Sequence, residues 1–405
     1  MPNEARVKLI AVFVAFGKDG KAAMSIPRKS FAFVLALVIS VTTALTANAG
    51  TITITDLGTL GGSSSYGLGI NGTGQVVGSA YTTGGSQDAF SYAPTSGMTN
   101  LGTLGGSSSL AYGVNASGQI VGYSYTASGA EDAFLYTPGS GMANLGTLGG
   151  SFSIATGINA SGQIVGYSNT TGNAQENAFL YTPTSGMRSI GTLGGIYSDA
   201  TGINASGQVV GVSETLYGNY YAFVYSPGSG LISIGTLGGT YSVATSINAS
   251  GQVVGSSKTM GDAAQNAFLY TAGIGMIDIG TLGGTYSVAT SINASGQVVG
   301  YSYTTGNVGT DAFLYTPSGG MIDLNSLLPP GSGWVLEVLE EATAINDSGQ
   351  IVGYGVNPEG QTDAYLIDID STPEPPSLVL FGASATIILM KRKIRQRAPI
   401  ATLRT

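Results

Sequence analysis

One unit of 44 or 45 residues repeats along most of the chain, and this repeat restricts the possible folds more than any other feature. The word Leu/Ile-Gly-Thr-Leu-Gly-Gly begins at Leu57, Leu101, Leu145, Ile190, Ile234 and Ile279, with a degenerate copy at Leu324. A second word, Ile/Val-Asn-x-x-Gly-Gln-Ile/Val-Val-Gly, occurs seven times, from Ile70 to the copy at Ile345. A fixed period of this length is the sequence signature of an array of structural repeats.

Each unit is expected to contain four short strands, which we call a, b, c and d. Strand a ends at the Ile-Asn of the second word, and the following Asn-Ala-Ser-Gly is a turn in which Gly supplies a positive φ. Strand b is Gln-Val-Val-Gly-x-Ser, strand c is Ala-Phe-Leu-Tyr, and strand d is Met-Ile-Asp-Ile-Gly or a variant. Four strands in 44–45 residues match the size of one β-propeller blade.

A missing strand indicates how the array closes. The chain has seven a–b hairpins and seven c strands, but only six d strands follow a c strand. Residues 51–57, before the first repeat, have the pattern of the absent strand, and pairing them into the last blade removes an open sheet edge. We therefore predict an all-β fold, a seven-bladed β-propeller of four-stranded blades over residues 50–370. It is closed by the N-terminal strand and flanked by two terminal apolar helices. An open β-solenoid or a different blade grouping is the alternative.

Composition excludes several classes of function. The chain has no Cys and no His, which removes thiol chemistry, zinc–thiolate sites and the commonest general base. Charged residues make up only 9% and Gly accounts for 64 of 405 positions, which disfavours a helix-rich enzyme. Residues 50–390 hold two basic and 20 acidic residues, a formal charge of −18. Such a body repels phosphate backbones, so no nucleic-acid partner is expected.

The first 49 residues have the order of a secretory signal peptide. Arg28-Lys29 precede an apolar run at 31–45, and Ala47-Asn48-Ala49 is a small-x-small cleavage site. The apolar run is short for a transmembrane anchor, which is the alternative interpretation. We predict export with cleavage after Ala49, and Met24 is an alternative start of the chain.

The segment 371–405 contains three parts in a fixed order. Pro373-Glu374-Pro375 come first, an apolar stretch at 378–390 follows, and a basic cluster occupies 391–397. This order resembles the PEP-CTERM sorting signal of exported Gram-negative proteins, although residues 398–405 extend beyond the basic cluster. The resemblance implies a short transmembrane helix in the inner membrane, transient anchoring there, and an exosortase-type enzyme that processes the chain near Pro373-Glu374-Pro375. The body is then expected outside the cell or on its surface.

The repeat words resemble the HAF repeat of bacterial extracellular proteins. This resemblance covers about residues 55–369 and is carried by the two words quoted above. It implies an exported repeat protein, but it transfers no defined activity to this chain.

The repeated polar residues have structural and functional interpretations. The Gly-rich word has no following Lys-Ser/Thr and no helix start, which indicates a turn rather than a phosphate loop. The Asn-Ala-Ser copies match a glycosylation acceptor, but an Asn that bonds its own hairpin backbone is favoured; they lie at Asn115, Asn159, Asn204, Asn248 and Asn293. An Asp precedes strand c in several units, and a ring of Ca²⁺ ligands is the alternative to a structural role; these residues are Asp88, Asp132, Asp311 and Asp363. No other metal or cofactor is expected.

No catalytic residue is assigned. Glu337, Glu340 and Glu341 lie close to Trp334 in the sequence. Two of them could serve as the carboxylate pair of a glycosidase, but an exposed acidic loop is the favoured interpretation.

Variation between the repeats points to one face. The b–c segments differ in length by one residue, and the seventh d–a connection is 8 residues longer and holds the only Trp. Because antiparallel strands alternate in direction, the b–c and d–a loops lie on the same face, where a rigid scaffold can present them. We predict a binding face of aromatic residues suited to sugar rings or a protein partner: Tyr217, Tyr220, Tyr221 and Trp334. Trp334 alternatively plugs the core, since it lies in an apolar segment.

These observations favour a non-enzymatic exported module that binds exopolysaccharide or a surface partner. A polysaccharide-active hydrolase or lyase that uses Asp, Glu and Tyr is the competing hypothesis, and a structural spacer is the third. Convergence of two or three carboxylates on the b–c face would favour the enzyme.

Overall fold

The computed structural model describes residues 52–329, 332, 334 and 339–369. Both predicted terminal helices lie outside the described residues, as do Ala47 and Ala49 of the cleavage site and the motif Pro373-Glu374-Pro375. The described part is nearly all β, as predicted, and short 3₁₀ turns are its only helical segments. No helix in these ranges is long and apolar enough to cross a membrane.

Twenty-eight strands occupy the described ranges. The first half of the chain contains β1 (Ile52–Asp56), β2 (Gly61–Ile70), β3 (Val76–Thr82), β4 (Gln87–Ala93), β5 (Gly97–Asn100), β6 (Gly105–Val114), β7 (Ile120–Thr126), β8 (Glu131–Thr137), β9 (Gly141–Asn144), β10 (Gly149–Ile158), β11 (Ile164–Thr170), β12 (Glu176–Thr182) and β13 (Gly186–Gly191). The second half contains β14 (Gly194–Ile203), β15 (Val209–Thr215), β16 (Tyr220–Ser226), β17 (Gly230–Gly235), β18 (Gly238–Ile247), β19 (Val253–Thr259), β20 (Gln265–Thr271), β21 (Gly275–Gly280), β22 (Gly283–Ile292), β23 (Val298–Thr304), β24 (Thr310–Thr316), β25 (Gly320–Asp323), β26 (Leu339–Ile345), β27 (Ile351–Val356) and β28 (Thr362–Ile369). The 3₁₀ turns are Thr171–Asn173, Met260–Asp262, Thr305–Asn307 and Leu324–Leu327.

Consecutive strands pair antiparallel within each repeat unit. β2–β5 form one four-stranded sheet, β1 joins β28, β27 and β26 in another, and β6–β25 belong to one large mixed sheet. Single parallel pairings, such as Glu176 with Tyr197, join neighbouring units in the large sheet. We number the units by their strands: unit 1 is β2–β5, unit 2 β6–β9, unit 3 β10–β13, unit 4 β14–β17, unit 5 β18–β21, unit 6 β22–β25, and unit 7 is β26–β28 with β1.

The first strand completes the last unit, as the count of d strands predicted. β1 pairs antiparallel with β28, with Ile54 opposite Ile367. Unit 7 also packs against unit 1, because Leu57, Val76 and Phe90 share one buried cluster with Val352, Ala364 and Leu366. The repeat units therefore close on themselves.

A buried asparagine in every a–b turn joins each unit to the next. In the turn of unit 4, Asn204 Oδ1 accepts from the backbone N–H groups of Ser206 and Gln208, at 3.1 and 3.0 Å. Its Nδ2 donates to the carbonyl of Asn248 in unit 5 at 3.2 Å. The expected hairpin role of the Asn-Ala-Ser motif is thus confirmed, and Gly207 adopts the positive φ of +77° that this turn requires.

Hydrophobic side chains of strands b and c fill the space between units. The Phe of strand c is fully buried wherever it occurs in the described ranges; these residues are Phe90, Phe134, Phe179, Phe223, Phe268 and Phe313. Each packs with aliphatic residues of strand b, as Phe223 does with Val165 and Val209 across units 3 and 4. The core therefore lies between units, and the units hold each other in place.

The b–c connections contact the start of strand a. Units 3, 5 and 6 have one extra residue there, which forms a 3₁₀ turn with Asn173, Asp262 or Asn307 at a φ of 56–58°. The side chain of Asp262 accepts from the N–H of Thr240, at the start of strand a in the same unit, at 2.9 Å. These contacts place the b–c and d–a connections on one face, which we call the b–c face.

Candidate binding site on the b–c face

The innermost strands enclose a cavity of about 370 Å³. Its walls are the last residues of strand a in every unit, near the asparagine turns. Five units place a Thr in this lining, but Leu68 and Tyr112 replace it in units 1 and 2. Tyr112 lies against Tyr123, with ring centroids 6.2 Å apart, and burial raises the pKa of Tyr112 to about 12. This tyrosine links the cavity to the layer of side chains nearer the b–c face.

That layer contains a group of tyrosines and carboxyls, the carboxyl–tyrosine cluster. Its members come from units 2, 3 and 4: Tyr112, Tyr123, Glu131, Tyr167, Glu176, Tyr197, Asp199 and Tyr220. Glu131 and Glu176 are the first residues of strand c in units 2 and 3, and each pairs with strand a of the next unit. The cluster is therefore built across unit boundaries.

Asp199 and Glu176 form a carboxyl pair at the centre of the cluster. Burial raises the pKa of Asp199 to about 7; the hydrogen bond that Tyr197 donates to it lowers this pKa, and the charge of Glu176 raises it further. Burial also raises the pKa of Glu176. Glu176 lies opposite Tyr197, two residues before Asp199 on strand a, so the two carboxyls are close enough for each to alter the pKa of the other. Asp199 Oδ1 is buried and no donor among the described residues reaches it, which favours a protonated Asp199.

The surrounding rings are held by packing. Tyr197 and Tyr220 meet edge to face, with centroids 5.5 Å apart, and Tyr167 packs against Phe152 at 6.1 Å. Burial, then the charge of Asp199, raises the pKa of Tyr167, so its hydroxyl stays neutral and can donate. Gly211 brings strand b close to Asp199, because a Cβ there would lie 1.9 Å from the Asp199 carbonyl oxygen.

The four predicted binding residues lie in different environments. Tyr217 is 87% exposed at the tip of the b–c connection of unit 4, Tyr220 belongs to the cluster, and Tyr221 is half-buried opposite Ser213. Trp334 is only 6% exposed and packs edge to face on Tyr365, at 5.9 Å. The prediction of an exposed Trp334 was wrong, because the long d–a connection folds this ring into the core of unit 7.

The candidate Ca²⁺ ligands do not converge. Asp88 and Asp132 each accept a hydrogen bond from an Asn on strand d of their own unit, at 2.7 and 2.6 Å. Asp363 accepts from Asn357 at 2.8 Å, and burial raises its pKa to about 6. Asp311 lies on β24 of unit 6. In the ranges that the structure describes, no three acidic side chains could hold a metal ion together. The hydrogen bonds of Asp88, Asp132 and Asp363 support the structural role that the sequence favoured for these residues.

Of the three glutamates near Trp334, only Glu341 has a described side chain, and it accepts a hydrogen bond from Tyr354.

Sequence reasoning missed Tyr197, Glu176 and Asp199. Aligning the units shows one available signal, since the position of Asp199 is aromatic or aliphatic in five units and carboxylic only here and at Glu341. The equivalents in the other five units are Tyr66, Leu110, Ile154, Val243 and Val288. A charge at an otherwise apolar repeat position marks a departure from the structural role.

Part of the chain matches a family of proteins whose function is not known. Residues 195–374 match the family model DUF3466, described as a protein of unknown function. No curated protein sequence matches the chain significantly.

Similar solved structures are distant. TolB from Acinetobacter baumannii has a TM-score of 0.41 and 14% identity, over 61% of this chain and 63% of that one. A puromycin-hydrolyzing peptidase from Mycobacterium tuberculosis has a TM-score of 0.49 and 12% identity, over 76% of this chain and 51% of that one. The six-bladed β-propeller lectin of Aleuria aurantia has a TM-score of 0.35 and 14% identity, over 68% and 94%. The chain thus spans less than two thirds of TolB and about half of the peptidase, and it differs from all three too much to take a function from them.

The carboxyl pair predicts a pH-dependent stability. The folded-state pKa of Asp199, about 7, lies above the ordinary value of 3.8. The folded state therefore binds the proton more tightly, and stability falls as the pH rises from about 4 to about 7. Asp199→Asn cannot ionise, so we expect it to match the wild type at pH 4. At pH 8 it should be more stable, by on the order of 3 kcal/mol of unfolding free energy. Denaturant melts at several pH values measure the difference.

Asp262→Asn is the matched control. The hydrogen bonds from Thr240, then the charge of Lys258, lower the pKa of Asp262, and this residue is exposed. The Asp262→Asn substitution should change the unfolding free energy only slightly and in the opposite direction to Asp199→Asn, so this variant should lose stability above pH 4. An Asp199→Asn variant that is less stable than the wild type at pH 8 would contradict the assigned carboxyl pair.

Proposed function

We propose that the protein is an exported, seven-bladed β-propeller that binds polysaccharide at the cell surface or in the matrix through its b–c face. The observation that carries this proposal is the carboxyl–tyrosine cluster, an aromatic and hydrogen-bonding surface assembled from three units. Seven units in a closed cycle, each with four paired strands, support the blade number. The terminal segments support export, through their resemblance to a signal peptide and a PEP-CTERM signal.

The chemistry of the cluster suits a sugar ligand. Tyrosine rings pack on the apolar faces of sugar rings, and their hydroxyls donate to ring and hydroxyl oxygens. Carboxylates accept hydrogen bonds from sugar hydroxyls. The cluster offers both at one place, with Tyr220 at its edge and Glu176 at its centre.

The loops around the cluster extend the surface. Ile196, Leu216, Tyr217, Met260 and Val308 lie on the b–c face of units 4, 5 and 6, and all are more than half exposed. Large apolar side chains exposed in one region mark an interaction site more often than isolated ones do. A polymer that reaches beyond the cluster would contact these side chains.

A polysaccharide-active hydrolase or lyase is the second candidate, and the convergence of Glu176 and Asp199 favours it. Two features argue against it. A glycosidase carboxyl must reach the scissile bond of its substrate, whereas one Asp199 oxygen is buried and the other accepts a hydrogen bond from Tyr197. A lyase that acts on acidic sugars must neutralise their carboxylates, and the cluster adds negative charge. Binding without turnover therefore remains the stronger proposal.

A glycan array of residues 50–370, with turnover assays beside it, tests the proposal. Tyr217→Ala with Tyr220→Ala should weaken polysaccharide binding by at least about tenfold, because aromatic anchors contribute about 2 kcal/mol or more. Ser206→Arg, in an exposed a–b turn at the other end of the strands, should bind normally. Thermal melts verify that both variants fold.

Loss of binding in Ser206→Arg, with normal binding in the tyrosine variant, would refute the face assignment. No binding to any glycan would leave the structural spacer as the better hypothesis.

Export has its own test. Replacement of Pro373, Glu374 and Pro375 by Ala should leave an unprocessed precursor in the inner-membrane fraction, since the resemblance places processing at this motif. Unchanged processing and surface delivery would contradict the sorting role.

A further inference from the structure

We infer that the carboxyl–tyrosine cluster binds the ammonium group of an amine-bearing glycan, such as a polymer of glucosamine. This inference rests on the proposed function and specifies the ligand class of the same surface. Three observations carry it: the distribution of charge, the arrangement of the rings, and the confinement of the carboxyl pair to one place in the cycle.

The cluster has no cationic partner in the described part of the protein. That part contains only two basic residues, Arg188 and Lys258. The Arg188 guanidinium donates to the hydroxyl of Tyr225 at 3.2 Å, and the Lys258 ammonium pairs with Asp262 at 3.4 Å. The side chains that alter the pKa of Asp199 are Tyr197 and Glu176, and neither is a cation. An ammonium group from a ligand would supply the missing positive charge.

The tyrosines suit a cation rather than an anion. An ammonium within about 6 Å of a ring centroid is attracted to the face of a tyrosine. Tyr197 donates to Asp199 and packs on Tyr220, and burial keeps the hydroxyls of Tyr167 and Tyr197 neutral by raising their pKa. A uronic acid would be repelled by Glu131 and Glu176, and an acetylated amine would bring no charge to pair with them.

Binding should exchange one proton for the ammonium. In the free protein at pH 6, the Asp199 carboxyl holds a proton, because burial raises its pKa to about 7. When an R–NH₃⁺ group docks, Asp199 becomes a carboxylate, the proton of its O–H bond leaves to solvent, and no other covalent bond changes. Proton release is therefore expected near pH 6 and should disappear above pH 8, where Asp199 is already ionised.

The structure favours one such site per chain. Glu341 in unit 7 is the only other carboxyl at the repeat position of Asp199, and Tyr354 and Tyr365 donate to its side chain and backbone carbonyl. The residue of unit 6 equivalent to Glu176 is Thr310, which has no carboxyl. The glycan should bind with a stoichiometry of one.

Calorimetry with defined oligosaccharides tests this inference. The probes are a glucosamine tetramer, its fully N-acetylated counterpart and its N-trimethylated counterpart, which keeps its charge at every pH. We expect the two charged tetramers to bind at least about tenfold more tightly than the acetylated one, as a desolvated cation–π and ion-pair site requires. Titrations at pH 6 in buffers of different ionisation enthalpy should report proton release.

Matched variants separate the cluster from the general acidity of the body. Asp199→Asn and Glu176→Gln should each lower the affinity for the charged tetramers about tenfold and leave the acetylated tetramer within about threefold. Asp262→Asn removes the same charge from an exposed loop of unit 5 and should change neither affinity. Melting curves verify folding, and the two cluster variants provide independent tests.

Two binding patterns would overturn the inference, and so would the absence of binding to every tetramer. One is equal or tighter binding of the acetylated tetramer. The other is an equal effect of Asp262→Asn and Asp199→Asn, which would indicate attraction by the whole body. In either case, the proposed polysaccharide function still holds if the acetylated tetramer binds the wild type but not the variant with Tyr217→Ala and Tyr220→Ala. Absence of binding to every tetramer would overturn the inference and weaken the proposed function with it.

Discussion

A closed cycle of asparagine hydrogen bonds fixes the arrangement on which the rest of the structure depends. In each a–b turn, Nδ2 of one Asn donates to the backbone carbonyl of the equivalent Asn in the next unit, at 3.0–3.2 Å; the series is Asn71, Asn115, Asn159, Asn204, Asn248, Asn293 and Asn346, and the last donates to the first. All seven are buried. Because water cannot replace a buried bond, each missing link would leave polar atoms unpaired. The cycle therefore sets the spacing of the inner strands and the width of the cavity.

Because the backbone repeats regularly from unit to unit, a substitution in one unit can create a site without changing the backbone around it. Two further sets of bonds join the units: the Ser of strand a bonds strand c of the preceding unit, as Ser198 does with Ala178, and the Thr near the cavity bonds the next strand a, as Thr201 does with Ala244. These links hold the backbones, so the other side chains of strand a are free to vary. Asp199 occurs at such a position, and Tyr112 replaces the linking Thr itself in unit 2. The carboxyl–tyrosine cluster is thus a local departure from a repeat whose backbone stays unchanged.

More of the fold than of the site could be predicted from the sequence. The four strands of a unit, the Asn hairpin and the partner of β1 follow from patterns within one repeat or from a count of strands. The pairing of Glu176 with Asp199 does not, because it depends on a parallel contact between strand c of one unit and strand a of the next, seen in the register of Glu176 with Tyr197. The prediction that Trp334 is exposed was wrong for a related reason. Its segment departs from the repeat, so no repeated pattern could show that its ring packs on Tyr365.

Closure of the cycle by β1 is the central claim, and a disulfide tests it directly in a chain without cysteine. Thr53 lies opposite Asp368 in the β1–β28 pair, and directly opposed residues of antiparallel strands are about 4.5–5.5 Å apart at Cα, within disulfide reach. Oxidised Thr53→Cys with Asp368→Cys should form an intramolecular cross-link, seen by mass spectrometry and non-reducing gels. Thr53→Cys with Thr99→Cys, which pairs β1 with the exposed outer strand of unit 1, should form none. A cross-link only in the second variant, or only between molecules in the first, would contradict the closed cycle.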